Sequence, residues 1–140
     1  MIAIVILQNP GFFSELSKRF NEGGPFFMTL ILITLLLSLG FLTKGFLRLK
    51  DNPEALKKML RLVGDTSLLG LVLGFLGSMI GLIGAFDAIE SFDKISTAMI
   101  AGGLKVSFLT TVFGSLVFII SRIGMLILRS MVKEQNTQEK

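Results

Sequence analysis

From Phe26 to Thr43 the chain runs without a single charged side chain. Coiled as a helix, the segment from Pro25 to about Leu47 covers about 30 Å, the thickness of a bilayer's hydrocarbon core. Backbone polar groups in that core must be satisfied inside the segment, so a helix is the available form. Thr29, Thr34 and Ser38 are the polar residues within the run, and hydroxyls can bond back to their own helix. Two further apolar stretches follow, from about Thr66 to Ala88 and from about Val106 to Leu128. The expectation is an all-α membrane protein with three transmembrane helices.

The segments between them are polar. Lys44, Arg48, Lys50, Lys57, Lys58 and Arg61 stand with Asp51, Glu54 and Asp65 in residues 44–65. Asn52 followed by Pro53 reads as a helix start. Leu56, Met59, Leu60 and Val63 make one apolar stripe, so a short amphipathic helix is expected here, with a break near Gly64 and Asp65. Residues 89–102 read as a connection carrying Glu90, Asp93 and Lys94, with Ser96 as the cap of the third helix. Residues 129–140 read as a frayed cytoplasmic tail.

Residues 1–24 precede the first span. Met1 to Leu7 is apolar but has no positive flank before it and no small-residue cleavage site after it, so a secretory leader is not expected. Ser14 is placed as the cap of a short helix bearing Phe12, Phe13, Leu16 and Phe20 on one side and Lys18, Arg19 and Glu22 on the other. Such a helix would lie in the membrane interface. Gly23, Gly24 and Pro25 end it and open the next element.

Charge sets the orientation. Residues 44–65 and the stretch from Arg122 onward hold ten of the fourteen Lys and Arg. That side is expected in the cytoplasm, which leaves the N-terminus outside and the C-terminus inside. The net charge of +4 is explained by this arrangement and gives no reason to expect nucleic acid as a partner.

Only 17% of the residues are charged, and the chain has neither Cys nor His. Disulfides, thiol chemistry, zinc or haem ligation and imidazole catalysis are thereby excluded. No paired carboxylates or triad are present, and Gly102-Gly103 lacks the Lys-Ser/Thr of a phosphate loop. No enzyme activity and no cofactor are expected.

The second span carries Gly70, Gly74, Gly77, Gly81 and Gly84, in steps of four, three, four and three. These glycines share one helical stripe and predict close approach of another helix. Ser78 lies among them. In the third span Ser107, Thr111 and Ser115 recur every four residues beside Thr110. They predict a polar seam, against the simpler reading that each hydroxyl bonds a carbonyl four residues back. Neither span holds an acidic residue in its middle. Asp65 and Asp87 bracket the second span, as Lys105 and Arg122 bracket the third. The two cations are placed either at the interfaces, where their long stems can snorkel, or, for Arg122, at a pore end or against a lipid headgroup. Hydroxyls relay protons but do not titrate near neutral pH. If protons pass here, the titrating carboxylate comes from another chain or is Asp87; otherwise no conduction occurs.

The stretch GLVLGFLGSMIGLIGAF, residues 70–86, resembles the second span of the MotA/TolQ/ExbB proton-channel family. ISTAMIAGGLKVSFLTTVFG, residues 95–114, resembles that family's lead into its third span, and Gly23-Gly24-Pro25 resembles its lead into the first. The resemblance covers about half the chain, and three spans are closer to ExbB or TolQ than to the four-span flagellar stator. It implies a homopentamer around two single-span ExbD/TolR-like subunits, whose membrane Asp carries the proton and about which the pentamer turns. It implies a motor in the bacterial inner membrane that powers an envelope process such as TonB-dependent transport. Ser78 and Thr111 fall where the family has its second-span and third-span Thr. With Ser107 and Thr110 they are the implied proton-path residues. The segment between spans one and two is shorter than the family's, which removes the large cytoplasmic helical extension from the expectation. Val106 replaces a third-span Glu, and Ile120 stands where Pro is frequent. The competing expectation is a three-span scaffold that moves no ions; a pore-forming lysis protein needs no ordered glycine register.

Overall fold

The computed structural model describes residues 11–22, 24–91 and 96–138. Four helices account for nearly all of them: α1 (Gly11–Glu22), α2 (Pro25–Leu47), α3 (Pro53–Ser91) and α4 (Thr97–Gln138). Met1–Leu7, Gly23, Asp93 and Lys94 lie outside the described residues, as do the side chains of Phe12, Phe13, Leu16, Arg19 and Phe20.

The starts of the long helices follow their local chemistry. Gly24 takes φ +87, a conformation that L side chains resist. Pro25 occupies the first turn of α2, where its missing N–H costs nothing. The Asn52 carboxamide oxygen accepts from the Glu54 and Ala55 backbone N–H groups at 3.2 and 3.2 Å, and caps α3. The Ser96 hydroxyl accepts from the Met99 N–H at 3.3 Å and caps α4. α1 already begins at Gly11, so Ser14 lies inside it and is not its cap.

α2, α3 and α4 are each long and apolar enough to cross a membrane. α3 and α4, with 39 and 42 residues, extend for about 58 and 63 Å, roughly twice the hydrocarbon thickness. The expected break at Gly64 and Asp65 is absent, and the amphipathic segment and the second span form one rod. The stripe anticipated on residues 56–63 is the reason. Leu56 and Val63 bury against Met125 and Leu128, with Leu60 and Val132 packed on the cluster. That burial outweighs the roughly 1 kcal/mol that one helical glycine costs. The same packing keeps residues 129–138 helical instead of frayed. The connection between α3 and α4 is correspondingly shorter than residues 89–102: positions 89–91 close α3 and 97–102 open α4.

The three long helices pack pairwise, and α1 rests on α2 and α4. One core at the basic end joins Leu42 to the α3–α4 cluster. A second joins Met28 and Ile31 of α2 to Val117 of α4. The outward faces are apolar, with Leu68, Val72, Phe75, Ile83, Val112, Ile119, Ile123 and Leu126 all exposed. A surface of that kind belongs against lipid or another protein.

Candidate functional site

α3 and α4 run antiparallel at backbone contact. A Cβ placed on Gly74 would stand 2.6 Å from the Thr110 carbonyl oxygen and 2.9 Å from the Gly114 Cα. One placed on Gly81 would stand 2.8 Å from the Ser107 Oγ. A Cβ on Gly77 would meet the Phe27 ring of α2 at 2.9 Å, and one on Gly70 would meet both Thr34 Oγ1 of α2 at 2.7 Å and Val117 of α4 at 3.0 Å. The glycine stripe is therefore spent inside one protomer, between helices of the same chain. Gly84 does not take part: nothing lies within 4 Å of its added Cβ. Gly77 already faces the third residue of α2, so two turns later α2 has ended.

Among the described residues seven polar side chains are buried, all of them hydroxyls: Thr34, Ser38, Ser67, Ser78, Ser107, Thr110 and Ser121. Thr34 and Thr110 donate to carbonyls three residues back, Ile31 and Ser107, at 2.7 and 2.8 Å. Ser67 donates to Gly64 O at 2.8 Å and Ser107 to Gly103 O at 3.1 Å. For these the local reading holds. Ser38 and Ser121 bond each other across α2 and α4 at 2.5 Å. Ser78, Thr111 and Ser115 have no side-chain hydrogen bond among the described residues.

The seam differs from the one the four-residue spacing predicts. Each step of four advances about 40° around a helix, so Ser107, Thr111 and Ser115 spiral off one face. Ser107 is buried, while Thr111 and Ser115 are only half-buried. The inner face of α4 instead alternates steps of three and four through Ser107, Thr110, Gly114, Val117 and Ser121. Ser38, Ser67 and Ser121 belong to this interior as well, and for Ser121 the 107-110-114-117-121 spacing is the signal in the sequence.

Helix phase separates the hydroxyls by direction. On α3, Gly77 looks to α2 and Gly74 to α4, and Ser78 lies about 40° beyond Gly74 on the side away from α2. On α4, Ser121 looks to α2 and Gly114 to α3, and Thr111 lies about 60° beyond Gly114, again away from α2. Of the three uncommitted hydroxyls, Ser78 and Thr111 thus share the α3–α4 margin that α2 leaves uncovered, with Ser115 about 40° further round α4 from Thr111.

No acid sits in this interior. Asp65, Asp87 and Glu90 are all exposed. Lys105 is tied down: its Nζ lies 2.9 Å from Glu22 Oε2, joining α4 to α1, and the pair is 48% and 41% exposed. Arg122 is exposed, with its guanidinium carbon 4.8 Å from the Phe118 ring centroid. Among the described residues no group of three His, Cys, Asp or Glu can hold a metal ion.

Residues 45–140 match the MotA/TolQ/ExbB proton channel family. The chain belongs to this family. The matched region takes in α3, α4 and the end of α2, and so includes the glycine stripe and every α3 and α4 hydroxyl described above. As a family of proton channels, MotA/TolQ/ExbB is not one of enzymes, and with three spanning-length helices this member is a multi-pass membrane protein. No curated protein and no solved structure gives a significant match. Val106 and Ile120, which stand where the family resemblance places Glu and Pro, are half-buried and exposed. α4 passes through both positions unbroken.

Proposed function

We propose that this MotA/TolQ/ExbB family member is the scaffold subunit of a proton-motive-force-driven motor in a bacterial inner membrane. Its N-terminus lies outside and its C-terminus in the cytoplasm, and it powers an envelope process such as TonB-dependent transport. Five copies surround two single-span ExbD/TolR-like subunits that supply the titrating membrane Asp. Ser78 and Thr111 line the path, flanked by Ser107 and Thr110.

One observation carries the reading. The α3–α4 spans have no interior carboxylate among the described residues, yet they keep the hydroxyls of Ser78 and Thr111 uncommitted on the margin free of α2. A hydroxyl with no internal partner is available to a water or to a carboxylate brought by another chain. Ser107 and Thr110, whose donors are spent on their own helix, keep lone pairs and shape the wall.

The test is proton flux into vesicles that contain the chain with its partner. Ser78→Val and Thr111→Val should each slow flux by roughly tenfold, the effect of one hydrogen bond of about 1–1.5 kcal/mol lost from the path. Flux unchanged in both variants removes these residues from the path. A non-conducting three-span scaffold is the second reading, favoured by the number of hydroxyls already satisfied within one protomer. It predicts no flux from the unmodified complex at all.

A further inference from the structure

The α3–α4 register fixes depth. Gly103 faces Ala85, Gly81 faces Ser107, Gly74 faces Thr110 and Gly114, and Gly64 meets the Met125 side chain. Carried along the antiparallel pair, this register sets Asp65 level with Ile123, beside Arg122. The depth is inside the apolar zone. Ser121 pairs with Ser38, and Leu42 fills the space above Gly124, so Arg122 is level with about Leu39. The first charge on α2 is Lys44, about 7 Å further along.

Asp65 and Arg122 are both exposed at this depth, and each has apolar neighbours. Asp65 heads a shallow groove of about 300 Å³ floored by Leu68, Leu69 and Val72. Arg122 stands among exposed Ile119, Ile123 and Leu126. Among the described residues neither forms an ion pair. They cannot satisfy each other within one chain: Asp65 lies nine residues from Gly74, about 180° around α3 from the face that meets α4. A charge held on an apolar membrane surface is costly unless it finds a counter-charge.

We infer that Asp65 of one copy pairs with Arg122 of the next, and that this contact closes the homo-oligomer. Cyclic symmetry about the membrane normal leaves every residue at its own depth, so two groups can meet between copies only if they are level within the protomer. These two are. Arg122 leaves α4 about 80° from the direction of α3, and Asp65 leaves α3 directly away from α4, so the two patches stand at roughly a right angle. Patches turned away from opposition curve the assembly toward closure, at about four copies for 90° and five for about 108°, whereas opposed patches would extend a line. Ile119 of the neighbour, level with Leu69 in this register, covers the Leu68–Val72 groove beside the pair.

The inference rests on the homo-oligomer of the proposed function but not on ion flow, and the experiment reads assembly alone. The chain is extracted in mild detergent and its mass measured for the unmodified protein, Asp65→Lys, Arg122→Glu and the combined swap, with helicity recorded for each. Each single reversal should lower the assembled fraction at least tenfold at equal helicity, and the swap should restore it. Because the chain has no Cys, Asp65→Cys with Arg122→Cys should give an oxidised ladder from dimer upward, while Leu76→Cys with Arg122→Cys, mismatched in depth, should not. An assembly unaffected by either reversal, or a swap no better than the singles, overturns the pair and leaves the motor reading standing. An unmodified chain that is monomeric overturns both the pair and the oligomer.

Discussion

At the scale of the residue, the glycines divide by what stands opposite them. A Cβ added to Gly74 would meet backbone, which cannot step aside, and one added to Gly114 would stand 2.7 Å from the Gly70 carbonyl oxygen and 2.9 Å from the Gly74 Cα. Gly74→Ala should therefore destabilise the helix pair by about 1–3 kcal/mol, the usual cost of overpacking a filled contact. Thermal unfolding in detergent micelles measures it. Gly84→Ala, with open space around it, should leave the midpoint unchanged or slightly raised, since alanine is the better helix former. The Ser38–Ser121 bond makes a second case. Ser38→Ala and Ser121→Ala should each cost about 0.6 kcal/mol or a little more, the typical strength of a hydroxyl bond between membrane helices. Their double variant should cost less than the sum, because the second removal has no bond left to break. Additive losses would show that the two hydroxyls act separately.

At the scale of the element, much was legible and the failures have causes. The three spans follow from long apolar runs with few or no charges, a signal that depends on composition alone. The caps at Asn52 and Ser96 follow from side chains that satisfy the first N–H groups of a helix. The break near Gly64 does not occur, because whether one glycine interrupts a helix depends on what packs beside it, and Met125 and Leu128 are more than sixty positions away in the chain. The glycine stripe was readable as a periodicity, but its end at Gly81 was not, since that depends on where α2 begins. The hydroxyl line went astray for a geometric reason: a repeat of four drifts around the helix, and alternating three and four holds a face. The identity of the facing helix was hidden for all of these residues. α1 gives a prediction of its own. Its Lys105–Glu22 link is half-exposed, so screening leaves it less than about 1 kcal/mol. Glu22→Gln should leave global unfolding unchanged while speeding amide exchange across Gly11–Glu22. Exchange at the original rate would mean that this ion pair does not hold α1.

At the scale of the whole molecule, charge and apolar surface set how the chain sits and what it joins. Lys58 is exposed on the basic half of α3. Lys58→Cys should react with an impermeant thiol reagent only from the cytoplasmic side, in right-side-out against inverted vesicles; labelling from outside would reverse the proposed orientation. The exposed isoleucines, leucines and phenylalanines of α3 and α4 exceed what a monomer in water tolerates. Lipid satisfies that demand everywhere except where charges interrupt the surface, and Asp65 and Arg122 are such interruptions.

The unbroken passage of α3 through Gly64 and Asp65 has a mechanical side. A shaft of about 58 Å without a hinge cannot bend at that depth, so a tilt of roughly 10° at its basic end sweeps the opposite end through about 10 Å. With α4 clamped to it along the glycine seam, the pair moves as a single lever. Force applied in the aqueous phase is then felt at mid-bilayer as displacement, not lost in a flexible joint.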